Sequence, residues 1–252
     1  MKLLTLARDL KRRRARERQT RFVAEGVRAV EELLRSPIQA VGALVSPTLV
    51  TTPRGAALLE SIRAKGVPVL DVGDRDFSTA SSTDSPQGIL VVADIPRRDA
   101  AELALGGRSR VLVLDAVQDP GNVGTLLRTG AALGAGAILA MPDTVDLWNA
   151  KVVRSAMGAL FRHPALACTW EEFDAVRAAH GLSCWAADAS GDPIEDIHGA
   201  PPIALVVGNE GAGISSEARL RADRYVAIRI APDVESLNVA VAAGILLHHF
   251  RS

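Results

Sequence analysis

The chain has 252 residues, 48% of them hydrophobic, and a formal net charge of zero, so the overall charge indicates no class of partner. Cys168 and Cys184 are its only cysteines, too few for a disulfide framework or a zinc site. Because no apolar run is long enough to span a bilayer and no apolar signal core follows the N-terminal charges, we expect a cytoplasmic protein with neither a membrane segment nor a metal.

The charge is concentrated near the N-terminus, where eight basic and two acidic residues lie between Arg8 and Arg21. The sequence predicts a short helix or an arm over residues 2–21. Two interpretations stay open: a solvated face, or contact with nucleic-acid phosphates. The basic residues of this arm are Arg8, Lys11, Arg12, Arg13, Arg14, Arg16, Arg18 and Arg21.

Hydrophobic periodicity predicts a small α/β domain over residues 1–96. Its helices are expected at 24–35 and 54–65, and its strands at 41–45, 67–72 and 88–93. A Ser/Thr-rich loop is expected at 78–85. The stretch 97–109 contains Arg97-Arg98 and Gly106-Gly107 and is typical of a linker.

A stronger alternation of strands and helices follows over residues 110–252. Strands are expected at 110–114, 136–140, around Leu166, and at 183–187, 203–207 and 226–230. Helices are expected at 121–133, 149–160, 171–180 and 236–250. Strands that alternate with helices predict a mostly parallel sheet with helices on both faces, an α/β fold.

Three polar loops follow strands of this sheet, at 115–124, 208–215 and 228–238, and the first leads into a helix that carries Arg128. The carboxyl ends of parallel strands meet at one edge, where ligands bind. Plainer readings exist: Asp119-Pro120-Gly121-Asn122 suits a simple turn, and Ser236 suits a helix N-cap. Since no three-glycine dinucleotide fingerprint is present, the patterns alone predict an α/β protein with a polar ligand cleft.

Taken together, the three loops resemble the motifs of the SpoU (TrmH-type) RNA ribose 2'-O-methyltransferases of the SPOUT superfamily. The matching residues are Asn122, Gly124 and Arg128, then Gly208, Asn209, Glu210, Gly211 and Gly213, then Ser236, Leu237, Asn238 and Val239. The segment 151–159 is also similar to the family. Residues 22–26 and 85–88 resemble the RNA substrate-binding domain that is often fused to these enzymes and is related to small RNA-binding ribosomal proteins.

The resemblance implies a C-terminal trefoil knot, which general rules of chain connection would not propose, and a homodimer with the site near the subunit interface. It implies S-adenosylmethionine as cofactor, and RNA, with ribosomal RNA preferred over tRNA, as the partner. The implied cofactor-binding residues are Gly208, Asn209, Gly211, Gly213, Ile228, Ile230, Leu237 and Val239. Arg154 joins the basic arm as an implied RNA-binding residue. One departure is visible, because Ile228-Arg229-Ile230 stands where the family usually has Ile-Pro-Met.

The implied catalytic residues are Arg128, Asn122, Glu210, Ser236 and Asn238. An ordinary arginine keeps its proton at neutral pH, which argues against a base, so we expect Arg128 to stabilise negative charge developing on the 2'-oxygen. Asn122 and Glu210 are expected to orient Arg128 or the hydroxyl, and Ser236 and Asn238 to complete a polar wall.

Three alternatives stay open at this point. The first is a tRNA 2'-O-methyltransferase, and the second is a non-catalytic RNA-binding or ribosome-assembly protein on the same fold. The third is a nucleotide-dependent enzyme of Rossmann type, which the missing glycine fingerprint disfavours. The preference for ribosomal RNA rests on the analogy of the N-terminal domain, not on site chemistry.

Overall fold

A computed structural model describes residues 2–106 and 109–251. The chain divides into two compact units, the first comprising Met1–Arg97 with Trp148–Arg162 and the second Arg98–Leu147 with His163–Ser252. The segment 148–162, which we placed in the second predicted domain, therefore packs with the first unit. Gly107 and Arg108 of the predicted linker lie outside the described residues. In the described part of the chain, none of the helices combines the length and the apolar character needed to cross a membrane.

The first unit is built on a four-stranded sheet. Up to residue 94 its elements are α1 (Lys2–Asp9), α2 (Arg13–Gln19), β1 (Arg21–Glu25), α3 (Val27–Leu34), β2 (Ala40–Val45), α4 (Pro53–Ala64), β3 (Val69–Asp71), α5 (Asp74–Ala80) and β4 (Ile89–Asp94). The strand order is β1-β4-β2-β3, with β4 antiparallel to both its neighbours and β2 parallel to β3. Ala7 and Leu10 are buried in its core beside Phe77, which holds the N-terminal segment on the unit.

Two predictions for this unit were wrong in detail. The helix expected from residue 24 begins only at Val27, because residues 21–25 form β1 and pair with β4 along their whole length. The Ser/Thr-rich loop begins later than expected, because α5 extends to Ala80. The two stretches that carried the N-terminal resemblance are joined at their borders. Val27 N, directly after the first stretch, donates to Gln87 Oε1 of the second at 2.9 Å, and buried Glu25 accepts hydrogen bonds from Ser81 and Ser82, shortly before the second stretch.

The second half of the chain supplies a parallel sheet. Its elements are β5 (Arg110–Leu114), α6 (Pro120–Ala132), β6 (Ala137–Ala140), α7 (Ala150–Ser155), α8 (Ala159–Arg162), β7 (Ala165–Ala167), α9 (Trp170–His180), β8 (Ser183–Pro193), β9 (Ile203–Val207), α10 (Ser216–Arg221), β10 (Arg224–Ala227) and α11 (Val239–His249). The helices α7 and α8 lie in the segment that packs with the first unit. The six strands have the order β10-β8-β9-β5-β6-β7 and every neighbouring pair is parallel, which confirms the predicted parallel α/β sheet.

The single helix predicted over 149–160 is two helices. Met157 and Gly158 break it, since both have positive φ, 51° and 87°. A Cβ at position 158 would lie 2.7 Å from Glu32 Cβ, so this close approach to α3 requires glycine. The helical pattern of side chains continues through the break, which is why periodicity alone missed it.

The strand order explains where a ligand can bind. From β5 the chain proceeds outward through β6 and β7 on one side, and then builds β8, β9 and β10 on the other. The order therefore reverses between β5 and β9, and such a switch point opens a crevice at the carboxyl ends of the strands. The loops that follow β5 and β9 lie side by side at that crevice.

Candidate active site

Two side chains join the loop after β5 to the loop after β9. Asp115, only 2% exposed, accepts a hydrogen bond from Ser215 N at its Oδ2, over 2.7 Å. Asn209 Nδ2 donates to the Ala116 carbonyl over 2.9 Å. These two hydrogen bonds hold the loops together. Because a buried carboxylate without hydrogen-bond partners would cost free energy, the bond to Asp115 resists opening.

The loop after β9 is a tight hairpin-like turn. Asn209 and Gly213 pair through two backbone hydrogen bonds, and Asn209 Oδ1 accepts from Gly211 N and Ala212 N at 2.9 Å each. A Cβ on Gly208 would lie 2.3 Å from the Gly213 carbonyl oxygen, and Gly213 has φ +70°. Gly208 and Gly213 are therefore needed by the turn itself. The amide oxygen of Asn209 shapes the turn, and its amide nitrogen holds the turn to Ala116 of the other loop.

A line of three polar side chains crosses the mouth of the crevice. Asn122 Nδ2 donates to Glu210 Oε1 at 2.9 Å, and Asn238 Nδ2 donates to Asn122 Oδ1 at 2.9 Å. Burial raises the pKa of Glu210, but the hydrogen bonds from Asn122 and from backbone N–H groups such as that of Gln118 outweigh burial and hold this pKa below its ordinary value. The three loops predicted to meet at one edge do meet, and Glu210 is a carboxylate there at neutral pH.

The line lies at the N-termini of two helices. Asp119 caps α6 by accepting from Asn122 N at 2.8 Å, and Asn238 Oδ1 caps α11 by accepting from Ala240 N at 2.9 Å. The sequence prediction that Ser236 caps this helix was wrong, because α11 begins at Val239 and Asn238 takes the N-cap position. Asn238 thus uses its oxygen for the helix and its nitrogen for Asn122.

Two predicted catalytic residues lie outside this line. Arg128 is exposed on α6, and within the described residues it makes no hydrogen bond or ion pair. It follows Asn122 by six residues, about 9 Å along the helix axis and on another side of the helix. Ser236 is exposed and likewise has no hydrogen-bond partner in the described part of the chain.

A cavity of about 180 Å³ lies against the middle of β8, the last residues of β10 and one side of α11. It is lined by Ala187, Asp188, Ala189, Val226, Ala227, Ile228, Ile230, Glu235, Ser236, Leu237, Ala242 and Leu246. Three predicted cofactor-binding residues, Ile228, Ile230 and Leu237, are among them, whereas Val239 is buried at the start of α11. The wall is mostly apolar, which suits a nucleoside.

A second, larger groove of about 680 Å³ runs along α6 and α11. Thr125 and Thr129 of α6 and Asn238 at the start of α11 contribute to its wall. Val241 and Ile245 of α11 are 51% and 37% exposed in it. The groove wall therefore includes apolar surface of α11 that the described residues leave uncovered.

The arm is helical, and most of its cations have partners within the first unit. Arg8 pairs with Asp76, Arg12 with Asp9, Arg13 with Glu17 and Arg21 with Asp94, while Lys11 Nζ donates to the Thr79 carbonyl. Arg16 is 4% exposed and donates to the Leu10 and Lys11 carbonyls, so it supports the fold and does not present a charge to a ligand.

Arg14 and Arg18, four residues apart on α2, are exposed and have no carboxylate partner among the described residues. Arg154 lies in the last turn of α7, and its Nη1 is buried without a hydrogen-bond partner in the part of the chain that the structure describes.

The sequence analysis assigned no role to Asp115 and Asp119, which hold the site together. Their position was the available signal, since each is an aspartate in the short polar loop between a buried apolar strand and a helix.

Burial raises the pKa of Cys168 to about 12 and that of Cys184 to about 11, so neither thiol is a nucleophile at neutral pH. Within residues 2–106 and 109–251 no group of three or more His, Cys, Asp or Glu side chains could hold a metal ion.

Two stretches of this chain match models of known protein families. Residues 109–248 match the SpoU rRNA Methylase family, and residues 5–91 match an MRM3-like substrate binding domain. The 23S rRNA (guanosine(2553)-2'-O)-methyltransferase RlmP of Bacillus subtilis (strain 168) is 34% identical over 95% of this chain and 92% of its own length. The 23S rRNA (guanosine-2'-O-)-methyltransferase RlmB of Ralstonia nicotianae is 31% identical over 88% of this chain and 92% of its own length.

A solved structure gives the same result for the fold. The crystal structure of an AdoMet-bound rRNA methyltransferase from Sinorhizobium meliloti superposes with a TM-score of 0.85 at 28% identity and covers 99% of this chain and 94% of that one. The resemblance read from the three loops is confirmed, and the α/β fold matches SPOUT methyltransferase structures. The chain belongs to the SpoU rRNA methylase family of RNA 2'-O-methyltransferases.

Proposed function

We propose that this chain transfers a methyl group from S-adenosylmethionine to a ribose 2'-hydroxyl of 23S ribosomal RNA. The observation that carries the proposal is the line Asn238–Asn122–Glu210 at the sheet edge where β5 and β9 end. The names of RlmP and RlmB support ribosomal RNA over tRNA as the substrate class. A substrate of this kind supports a place in the bacterial cytoplasm, where ribosomes are assembled.

The cavity beside α11 is the proposed cofactor site. Its residues fit the group, because Ile228, Ile230 and Leu237 offer an apolar wall to a nucleoside, and polar side chains lie beside that wall at Asp188, Glu235 and Ser236. S-adenosylmethionine, when bound, supplies the methyl group as the electrophile of a sulfonium. Gly208, Asn209, Gly211 and Gly213, predicted to bind the cofactor, are not among the residues that line this cavity, so their contact with the cofactor stays a prediction. The trefoil knot implied by the resemblance remains part of the proposal for residues 110–252.

The polar line is proposed to receive the reacting ribose. Glu210 is ionised and Asn122 is fixed by partners at both ends, so together they present a preorganised acceptor and amide to a hydroxyl. With S-adenosylmethionine bound, the 2'-oxygen would form a bond to the methyl carbon as the carbon–sulfur bond breaks. The electron pair of that bond would stay on sulfur, and the hydroxyl proton would be released to water. Ser236 lines the cavity side of the same region and is assigned to its polar wall.

In the proposed site, Arg128 is supplied by the second subunit of a homodimer. Thr125 and Thr129 flank Arg128 on α6 and line the same groove as Asn238. A second copy that covers the exposed Val241 and Ile245 would therefore lie against both Arg128 and the polar line. The partner's Arg128 is then the cation that stabilises charge developing on the 2'-oxygen.

The first unit is proposed to bind the RNA. The match of residues 5–91 to a substrate-binding domain supports this, as does the earlier resemblance to RNA-binding ribosomal proteins. Arg14 and Arg18 are the best candidates for phosphate contact because no carboxylate among the described residues neutralises them. Arg154 is a further candidate, whereas buried Arg16 is removed from the set.

The test is direct. Purified protein is incubated with tritiated S-adenosylmethionine and ribosomal RNA from a strain that lacks the gene, beside Glu210→Ala and the matched exposed control Glu102→Ala. We expect label in 23S RNA with the wild type and the control, and none with Glu210→Ala. Cofactor binding with no label in bare RNA or in precursor ribosomal particles would overturn methylation of ribosomal RNA, and label in tRNA would favour the tRNA alternative. Failure to bind the cofactor would favour the non-catalytic RNA-binding protein.

A further inference from the structure

The cavity beside α11 contains two carboxylates with different surroundings. Both carboxylate oxygens of Asp188 accept hydrogen bonds. Its Oδ1 accepts from Ser190 N at 3.0 Å and Ser190 Oγ at 2.7 Å, and its Oδ2 accepts from Arg219 Nη2 at 3.0 Å. The Arg219 guanidinium compensates its charge. Asp188 therefore adds little net charge to the cavity.

Glu235 is the other carboxylate. It is exposed, and in the described part of the chain it makes no hydrogen bond or ion pair. The cation of the same loop, Arg229, is directed elsewhere, since its Nη2 lies 2.7 Å from Asp196 Oδ2 and its Nη1 4.0 Å from Glu195 Oε2. Of the described residues that line the cavity, none is Lys, Arg or His. The wall thus carries one uncompensated negative charge, at Glu235.

The negative charge of Glu235 can distinguish the methyl donor from its product, because the two molecules differ in charge. Both molecules carry an α-ammonium and an α-carboxylate, but only the donor carries a sulfonium; loss of the methyl group leaves a neutral thioether. A carboxylate in a mostly apolar wall attracts the cationic ligand and not the neutral one.

We propose that Glu235 is a specificity-determining residue that makes this cavity prefer S-adenosylmethionine over S-adenosylhomocysteine and so favours release of the product. The inference rests on the proposed cofactor site. Glu235 does not contact the polar line, and its role is separate from that of Glu210.

The test measures two dissociation constants by calorimetry, for S-adenosylmethionine and for S-adenosylhomocysteine, with wild type, Glu235→Gln, Glu235→Asp and the remote control Glu102→Gln. The ratio of the two constants is the readout, because general damage to the cavity weakens both ligands and cancels. We expect Glu235→Gln to lower the preference for the donor by about threefold to tenfold, which corresponds to about 0.7 to 1.4 kcal/mol. Glu235→Asp and Glu102→Gln should keep the wild-type ratio.

The preference of the wild type should also decline as salt is raised, since Glu235 is exposed to screening ions. Both ligands binding with the same ratio in wild type and Glu235→Gln would overturn the inference while leaving the proposed cofactor site intact. Neither ligand binding to the wild type would overturn the proposed function, and this inference with it.

Discussion

Asn122 shows how one side chain can organise a site. Its amide nitrogen holds Glu210, its amide oxygen accepts from Asn238, and its backbone N–H is used by Asp119 to cap α6. Two of these bonds are made by the side chain itself, to Glu210 and Asn238 of two other loops, so the side chain cannot move without breaking both. In the function that we propose, a constellation fixed in this way would receive the reacting hydroxyl without rearranging.

The role of Arg128 is tested by replacing it with alanine. If Arg128 stabilises charge in the transition state, Arg128→Ala should lower kcat by about a hundredfold to a thousandfold. The dissociation constant of S-adenosylmethionine should not change, because Arg128 is absent from the cavity wall. Single-turnover methylation and calorimetry measure the two quantities; an unchanged methylation rate would remove Arg128 from the mechanism. Arg128→Lys serves as the charge-conserving control.

The lowered pKa of Glu210 makes a prediction about stability and pH. Because this pKa lies below the ordinary value of 4.5, the ionised carboxylate stabilises the folded state above that pH, and the contribution is lost as pH falls through the folded-state pKa. The difference in unfolding free energy between wild type and Glu210→Gln should therefore be constant from about pH 6 to 8 and shrink below about pH 4.5. Urea unfolding at a series of pH values measures it. A difference that changes between pH 6 and 8 would contradict the assignment.

At the scale of elements, the N-terminal arm is two helices with different uses for their charges. Ala7 and Leu10 bury one side in the core, and Arg16 ties the turn between α1 and α2. Ion pairs of exposed residues such as Arg13 and Glu17 contribute little stability. What the arm offers to a polyanion is the unneutralised pair on α2, Arg14 and Arg18.

Replacing both arginines should weaken RNA binding and reduce its salt dependence. Each lost phosphate contact lowers the slope of log K against log salt by about 0.7 to 0.9, so Arg14→Ala with Arg18→Ala should reduce it by up to about two. Filter binding at several salt concentrations measures the slope. Arg13→Ala is the matched control, because Glu17 already pairs with that side chain. An unchanged slope in the double variant would favour the other interpretation, in which the arm is only a solvated face.

At the scale of the whole molecule, α11 is apolar on nearly every side. One side packs in the core of the second unit through Ala243, Leu246 and Leu247, yet Val241 and Ile245 are exposed in the groove beside α6. A helix that is hydrophobic all round is normally buried. A homodimer built on α6 and α11 would complete that burial.

Charges placed in the groove should separate the subunits. We expect Val241→Asp with Ile245→Asp to be monomeric at concentrations where wild type is dimeric, since two carboxylates would be buried in each half of the interface. Light scattering after gel filtration measures the mass. Leu220→Asp is the control, because Leu220 is 80% exposed on α10 and outside the groove. A wild-type monomer, or a dimer that survives the double substitution, would contradict the proposed interface.

The sequence by itself determined the alternation of strands and helices, the bounds of strands such as 110–114 and 203–207, and the three loops whose residues carry the family motifs. These follow from local information, namely periodicity and the residues that turns require. The pairing of residues 21–25 as a strand, the break at Met157 and Gly158, and the capping of α11 by Asn238 instead of Ser236 required the tertiary structure. The strand depends on β4 and the close approach at Gly158 depends on Glu32, and both partners are distant in the chain. The cap follows from the start of α11 at Val239, and the Asn238 side chain is also held by distant Asn122. Distances between loops that are far apart in sequence are set by sheet order, and no local pattern records that order.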